Sequence, residues 1–362
     1  MHKLIATSTI LEHELSELRL LVERQTGIVL DCPNAVLSAR VADYLESQEL
    51  ASSAELLERL RGTDQDFSTL AALLEGLVSI KTGFFRHQSA LNALAKQVVP
   101  QIAARKAADG HSSLRVWSAG CSTGEETYSI AIAICDALSH VGGTVANTQA
   151  IATAGSGKNS ARNGGIADNS SSAAAALSIH IVGSDLLPRN IETADRGVYP
   201  QSALNGLAPA IIRNYFSKIT SPAIAVTANA DDSENGGDDD LSSRRDAGNN
   251  GASRASAAPN AAHLLVKPRL RSLVTFNCMN LARPGYIGRF DCIFCMDVLP
   301  QFSRAQRIAL IERLHLYLEP GGYLFLGQTE KLLAPNLNFR SETFDGYTYH
   351  RKPLAASAAY GR

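Results

Sequence analysis

The sequence predicts an α/β protein with a doubly wound, mainly parallel sheet that follows an all-helical N-terminal domain. Apolar residues recur at helical spacing through residues 11–78, strand-like and helix-like segments alternate from residue 114 onward, and one strand-to-helix junction is a glycine-containing turn. The chain has 362 residues, enough for one large domain and a smaller one. Open parallel sheets bind ligands at the carboxyl ends of their strands, so we expect the functional residues there.

The N-terminal domain, residues 1–80, is predicted to be a small helical bundle. Leu15 and Leu18 belong to one apolar helical stripe, and similar stripes follow along the segment. Gly27 and Pro33 separate the first two helices. A bundle of this size is too small to be the catalytic unit, so we expect the chemistry in the sheet domain.

The sheet domain is predicted over residues 113–353, after a linking segment at 81–112 and before a flexible tail at 354–362. Its predicted elements in chain order are strand 114–119, helix 124–138, strand 179–184, helix 188–196, strand 273–278, strand 291–296, helix 303–318 and strand 322–327. Two stretches within it, 141–177 and 221–262, consist mostly of small and polar residues. Neither can bury enough apolar surface to offset its chain entropy, so both are predicted to be disordered insertions.

Composition excludes several classes of protein. The formal net charge is −1, without the interleaved basic and aromatic residues of a nucleic-acid binder. No apolar run is long enough to span a bilayer and no secretory signal is apparent, so we expect a cytoplasmic protein without membrane insertion. The six cysteines are expected to be reduced, and the nine histidines show no metal-ligand spacing, which predicts no metal site.

The most informative segment is the junction at residues 116–131. Gly120 and Gly124 allow a close backbone approach to a ligand, and the following helix begins with Glu125 and Glu126. No dinucleotide or triphosphate motif is present, and adjacent carboxylates favour a cationic ligand such as S-adenosylmethionine. The alternative is a plain turn whose acidic residues only cap the helix.

The string from Val116 to Ala131 closely resembles the cofactor loop of the CheR family of chemotaxis receptor methyltransferases. The resemblance covers nearly the whole chain outside the two insertions. It implies a class I methyltransferase fold, a small antiparallel β subdomain within about 199–272, S-adenosylmethionine as cofactor and S-adenosylhomocysteine as product. It further implies that glutamate side chains on the cytoplasmic helices of chemoreceptors are methylated, and we expect a monomer.

Thr82-Gly83-Phe84-Phe85-Arg86 resembles a second motif of the family, Thr-x-Phe-Phe-Arg. Transfer of a methyl group to a carboxylate depends on positioning, and an arginine is a suitable holder for the acceptor. The resemblance implies that Thr82 and Arg86 contact the cofactor and that Arg86 lies beside the transferred methyl group. Without the resemblance, the spacing favours a linker whose aromatic residues dock the two domains and whose arginine is solvated.

The remaining cofactor residues follow predicted strands. The resemblance implies that Glu126 binds the methionine ammonium group and that Asn280 and Leu281 meet the adenine. Asp185 ends the second strand, where a carboxylate can accept from both ribose hydroxyls. The alternative role for Asp185 is to cap the helix that begins near Pro188.

The sequence departs from the family pattern after the strand 291–296. Asp297 and Val298 are predicted to line the cofactor, but Asp297 stands where the family has asparagine, and Gln301 where it has an active-site tyrosine. Ile80 replaces another asparagine. These changes spare the expected ribose and ammonium anchors and alter the reacting end. Two alternatives therefore stay open: a non-catalytic S-adenosylmethionine-binding or signalling module, and a methyltransferase for another carboxylate.

Overall fold

A computed structural model describes residues 10–62, 67–78, 82–140, 145–146, 177–219, 262–285, 288–334 and 336–354. Apart from their edges and residues 145–146, the predicted insertions 141–177 and 221–262 lie outside these ranges. So do Ile80 and all but the first residue of the predicted tail 354–362.

The N-terminal segment forms four helices around a leucine-rich core. They are α1 (Glu12–Thr26), α2 (Asn34–Ser47), α3 (Ser53–Arg61) and α4 (Phe67–Leu77). Gly27 ends α1 in the left-handed conformation that glycine adopts readily, and the Ser52 hydroxyl caps α3 by accepting from the Glu55 amide. The buried leucines face one another as the helical stripes predict.

Among the described residues, seven further helices follow along the chain. They are α5 (Gln88–Ala93), which continues through a π turn (Leu94–Val98) into α6 (Val99–Ala108), then α7 (Glu125–His140), α8 (Pro188–Arg196), α9 (Pro209–Tyr215), α10 (Pro268–Arg271) and α11 (Arg304–Tyr317).

The large sheet is mainly parallel. Its strands are β1 (Ser113–Ala119), β2 (Val145–Ala146), β3 (Leu177–Asp185), β7 (Val274–Cys278), β8 (Phe290–Cys295), β9 (Leu318–Leu326), β10 (Arg340–Phe344) and β11 (Tyr347–Arg351). The order is β10–β11–β9–β8–β1–β3, and both β2 and β7 pair with β3. Every strand pair from β9 through β8, β1 and β3 to β2 and β7 is parallel, whereas the β10–β11 hairpin is antiparallel. The predicted α/β fold class is confirmed.

The last parallel strand, β9, differs most from its predicted bounds. The sequence places a turn at Pro320 to Gly322 before a strand at 322–327, but β9 already begins at Leu318. Phe290 pairs with Leu318 and Cys292 with Tyr323, so the extra residues of β9 form a bulge that contains the turn.

A separate compact unit spans Val198–Val266. Within it, β6 (His263–Val266) pairs antiparallel with both β4 (Val198–Pro200) and β5 (Phe216–Ile219), which confirms the small antiparallel sheet implied by the resemblance. The unit ends before residue 272, the predicted limit of the subdomain, because α10 packs with α7 and β7 of the main unit.

Candidate functional site

A cavity of about 490 Å³ lies at the carboxyl ends of β1, β3 and β8. This volume suits a small-molecule ligand. Thr26, Ile28 and Leu74 from the N-terminal helices and their connections also line it. All nine residues predicted from the sequence line this cavity: Thr82, Arg86, Gly120, Glu126, Asp185, Asn280, Leu281, Asp297 and Val298.

The turn after β1 fits only a glycine at position 120. Gly120 has φ +83°, and its amide donates to the Ser184 carbonyl at 2.8 Å. A Cβ atom at this position would lie 2.5 Å from Cγ2 of Val298, which is inside van der Waals contact. The turn therefore packs backbone directly against the wall formed by Val298.

We predict that Gly120→Ala lowers the free energy of unfolding by about 2–4 kcal/mol, because left-handed strain and overpacking add. Urea denaturation measures the change. Gly346→Ala is the matched control, because Gly346 has φ +74° with no atom within 4 Å of an added Cβ. That variant should lose only about 1 kcal/mol from strain. Equal losses in the two variants would contradict the predicted clash.

Glu126 is the second residue of α7, and it lines the cavity. The Ser118 hydroxyl donates to Oε1 of Glu126 at 2.7 Å. Burial raises the pKa of Glu126 to about 7, and the Ser118 hydrogen bond acts in the opposite direction. Asp297 raises this pKa and Arg86 lowers it, so both charges lie near enough to act on Glu126. A ligand cation would restore the ionised form.

Asp185 is buried and already holds three hydrogen bonds. Its Oδ2 accepts from the Ser122 amide at 2.9 Å, while Oδ1 accepts from the Leu187 amide at 3.0 Å and from Nδ2 of Asn190 at 2.9 Å. The Asp185 carboxylate thus stabilises the start of α8, which is the alternative to ribose binding that the sequence offers for this residue. A carboxylate oxygen has two lone pairs, so Oδ2 has one acceptor position left beside the cavity. This geometry favours one ribose hydroxyl on Asp185 instead of two.

The segment that contains Arg86 is tied to α7. The Thr82 hydroxyl donates to Oε2 of Glu125 at 3.2 Å, and the Phe85 amide donates to Oγ of Ser129 at 2.9 Å. Phe85 has φ +53°, an uncommon value for an aromatic residue. The segment is therefore held along the cavity and does not behave as a loose linker.

The guanidinium of Arg86 forms an ion pair with Asp297, with 2.7 Å between Nη2 and Oδ2. Nε2 of His87 lies 3.3 Å from the same oxygen. Burial lowers the pKa of His87, and Asp297 opposes this shift. The result is a charged cluster at one end of the cavity.

Glu330 was not predicted from the sequence, yet it fixes the wall around Asp297. Its carboxylate accepts from the amides of Asp297 at 3.1 Å and Leu299 at 2.9 Å, and from the Gly327 amide. Burial raises the pKa of Glu330, and these amides act against that shift. The only sequence signal is an acidic residue shortly after the last parallel strand, which is too common to identify a site.

Asn280 joins the cavity to the N-terminal helices. Its Nδ2 donates to the Gln25 carbonyl at 2.8 Å, and its Oδ1 accepts from the Ala282 amide at 2.9 Å. Leu281 lines the cavity beside it. Both polar atoms of the Asn280 side-chain amide thus already form hydrogen bonds within the protein. Leu281 offers an apolar surface for a flat ring.

Known proteins resemble this chain in sequence. The family model described as "CheR methyltransferase, SAM binding domain" matches residues 80–165 and 252–347. The chain belongs to the CheR methyltransferase family. The predicted family, the methyltransferase activity and S-adenosylmethionine as cofactor are confirmed by this match.

Two curated relatives align over nearly their full length. "Chemotaxis protein methyltransferase 1" of Pseudomonas aeruginosa is 27% identical over 318 residues, covering 87% of this chain and 88% of the relative. "Chemotaxis protein methyltransferase" of Vibrio parahaemolyticus is 25% identical over 328 residues, covering 90% and 91%. A solved structure of magnesium protoporphyrin IX methyltransferase from Synechocystis aligns over 89% of this chain and 96% of its own at 15% identity. Its TM-score of 0.26 is too low to add to the assignment.

Two of the departures from the CheR pattern, Asp297 and Gln301, line the cavity. The backbone carbonyl of Gln301 accepts from the Val29 amide at 2.8 Å. Within the described ranges no tyrosine lines the cavity. The hydroxyl of Tyr347 donates instead to the Leu326 carbonyl at 2.6 Å. Arg86 also lines the cavity, and its guanidinium is a cationic group that can bind a carboxylate.

Two further properties concern metals and membranes. Over the part of the chain that the structure describes, no group of three or more His, Cys, Asp or Glu side chains is arranged to hold a metal ion. None of the helices described above combines the length and apolar character that crossing a bilayer requires.

Proposed function

We propose that this CheR-family protein methylates glutamate side chains on the cytoplasmic helices of chemoreceptors. The products are glutamate methyl esters and S-adenosylhomocysteine. The observation that carries the proposal is the convergence of nine residues, drawn from distant parts of the chain, on one cavity that has an acidic group at Glu126 and a cationic group at Arg86.

The residues of the cavity suit the cofactor. Glu126 would pair with the ammonium group, the free position on Oδ2 of Asp185 would accept one ribose hydroxyl, and Leu281 would contact the adenine. Thr82 and Val298 would also contact the cofactor, and Val298 lies next to the close backbone approach at Gly120. Bound S-adenosylmethionine supplies an electrophilic methyl group on a sulfonium centre.

Arg86 would hold the acceptor carboxylate for in-line attack. A glutamate is already ionised near neutral pH, so the protein has no need of a general base. With the cofactor bound, the carboxylate held by Arg86 would accept the methyl group, and the electron pair of the broken carbon–sulfur bond would stay on sulfur. Positioning by Arg86, together with apolar walls such as Phe302 and Met279 that limit water, would supply the rate enhancement.

The proposal includes a cytoplasmic monomer. The expected substrate helices are cytoplasmic, and one chain holds every cavity residue named above. Light scattering of the purified protein, with and without S-adenosylhomocysteine, should give the mass of one chain; a stable dimer mass would contradict this part.

The central experiment uses S-adenosylmethionine labelled on the methyl group and a panel of receptor cytoplasmic fragments. We expect label on receptor glutamates, released as methanol by mild base because esters hydrolyse there. Fragments with the acceptor glutamates changed to alanine are the control and should stay unlabelled. Measured binding of S-adenosylhomocysteine without transfer to any fragment would instead support the non-catalytic module. Base-labile label on small carboxylic acids alone would support a different acceptor.

A further inference from the structure

The ion pair between Arg86 and Asp297 uses the guanidinium that the proposed reaction assigns to the acceptor. Their closest nitrogen–oxygen distance is 2.7 Å, and His87 approaches the same carboxylate oxygen. A guanidinium offers several donors, but its best bidentate face can hold only one carboxylate at a time. An arriving glutamate therefore meets an arginine that is already engaged.

Asp297 is fixed in this position by its backbone. It has φ +58°, and its amide donates to Glu330. On the other side, a Cβ at Gly327 would lie 2.5 Å from Oδ1 of Asp297, so the carboxylate has little space to move that way. Arg86 is the more adaptable partner, because its side chain is long and 45% exposed.

The surrounding charges increase the competition. The pKa values of Glu126 and Glu330 are both raised in part by Asp297, so three acidic groups lie close together, two of them lining the cavity. Arg86 and His87 are the basic groups that face them. A further carboxylate would be repelled by the acids unless Arg86 turns toward it.

We propose that Asp297 determines acceptor affinity by competing with the acceptor carboxylate for Arg86. This inference rests on the proposed function. The side chains of Arg86 and Asp297 are 45% and 33% exposed, so the net strength of their ion pair is modest. An acceptor carboxylate can therefore displace Asp297 from Arg86. Asp297 would thus weaken binding of glutamates that are not held by further contacts with the protein, and so favour transfer to well-docked receptor helices.

The test is Asp297→Asn. Asparagine tolerates positive φ, keeps the shape of the side chain and removes its charge. We expect KM for a receptor fragment to fall about 2–5-fold, because the interactions of partly exposed charges are weak. Asp297→Gly also suits the backbone, removes the whole side chain and should lower KM in the same direction.

Asp345→Asn is the matched control, because Asp345 has φ +49°, is exposed and does not line the cavity. The KM of Asp345→Asn should equal that of the wild type.

A KM that stays unchanged or rises in both Asp297 variants, with wild-type transfer intact, would overturn the inference while the proposed function stands. A fall in kcat alone would also overturn it, since Asp297 would then orient Arg86 for catalysis. Absence of transfer by wild type and variants, despite bound S-adenosylhomocysteine, would overturn the proposed function and this inference together.

Discussion

Replacing Arg86 by alanine should lower kcat for methyl transfer about 10²–10³-fold, the cost typical of losing one preorganised charged group at a reacting centre. The acceptor carboxylate would lose its holder, and Asp297 would lose the partner that now lies 2.7 Å away. Its uncompensated charge would then repel the acceptor. Single-turnover transfer to a receptor fragment measures kcat separately from binding.

Two further variants test whether the loss of methyl transfer is specific to the guanidinium of Arg86. Arg61→Ala removes a matched arginine, which is 53% exposed and pairs with Glu17 at 2.6 Å in the N-terminal helices, and it should leave transfer unchanged. Arg86→Lys keeps the charge but loses the planar fork, so it should recover only part of the rate. Affinity for S-adenosylhomocysteine should change by less than about tenfold in Arg86→Ala, because the product carries no transferable methyl group beside the guanidinium. If Arg86→Ala transferred as fast as Arg61→Ala, Arg86 would have no role in the reaction.

The sequence predicted the parallel sheet well because its signals are local. β3 is almost entirely buried and β8 entirely so, and such continuous burial of mostly apolar segments is typical of parallel strands covered on both faces. The β1-to-α7 turn was equally clear, because Gly120 and the acidic start of α7 are neighbours in the chain. Strand ends in a parallel sheet meet at one edge, so naming the strands also located the cavity.

Contacts between distant side chains could not be predicted in this way. The pairing of Arg86 with Asp297 joins residues more than 200 positions apart, and no spacing rule connects them. The carboxylate of Glu330 contacts three backbone amides, which depends on how the segment after β9 folds back. The sequence offered two alternative roles for Asp185, and only the folded structure reveals that its carboxylate already accepts from the Ser122 and Leu187 amides.

Affinity for S-adenosylhomocysteine should depend on pH through Glu126 and should fall as the medium becomes more acidic. The ligand ammonium favours the carboxylate, whereas burial holds the pKa of the free side chain at about 7. Below that pH a proton must leave before the cation can pair, so affinity should drop about tenfold per pH unit until the carboxylate of the complex itself titrates. Calorimetric titrations between pH 5 and pH 8.5 measure this profile.

Glu126→Gln should remove the dependence and lower affinity about 100-fold at pH 8, because the amide cannot pair with a cation. His87 is the competing explanation, since protonation of its ring would also repel a cation. His87→Gln should therefore keep the wild-type profile, whereas a flat profile in His87→Gln would transfer the effect to that residue.

The free energy of unfolding of the ligand-free protein should change with pH in the opposite direction to the ligand affinity, and should decrease as the pH rises. The folded-state pKa of Glu126 lies above its ordinary value of 4.5, so folding favours the protonated form. Its contribution is fully present below pH 4.5 and is lost as the pH rises through about 7. As the pH rises from 4.5 to about 7, the free energy of unfolding should fall less in Glu126→Gln than in the wild type. One buried carboxylate would thus oppose folding at the pH where it binds the cofactor best, and bound cofactor should restore the difference.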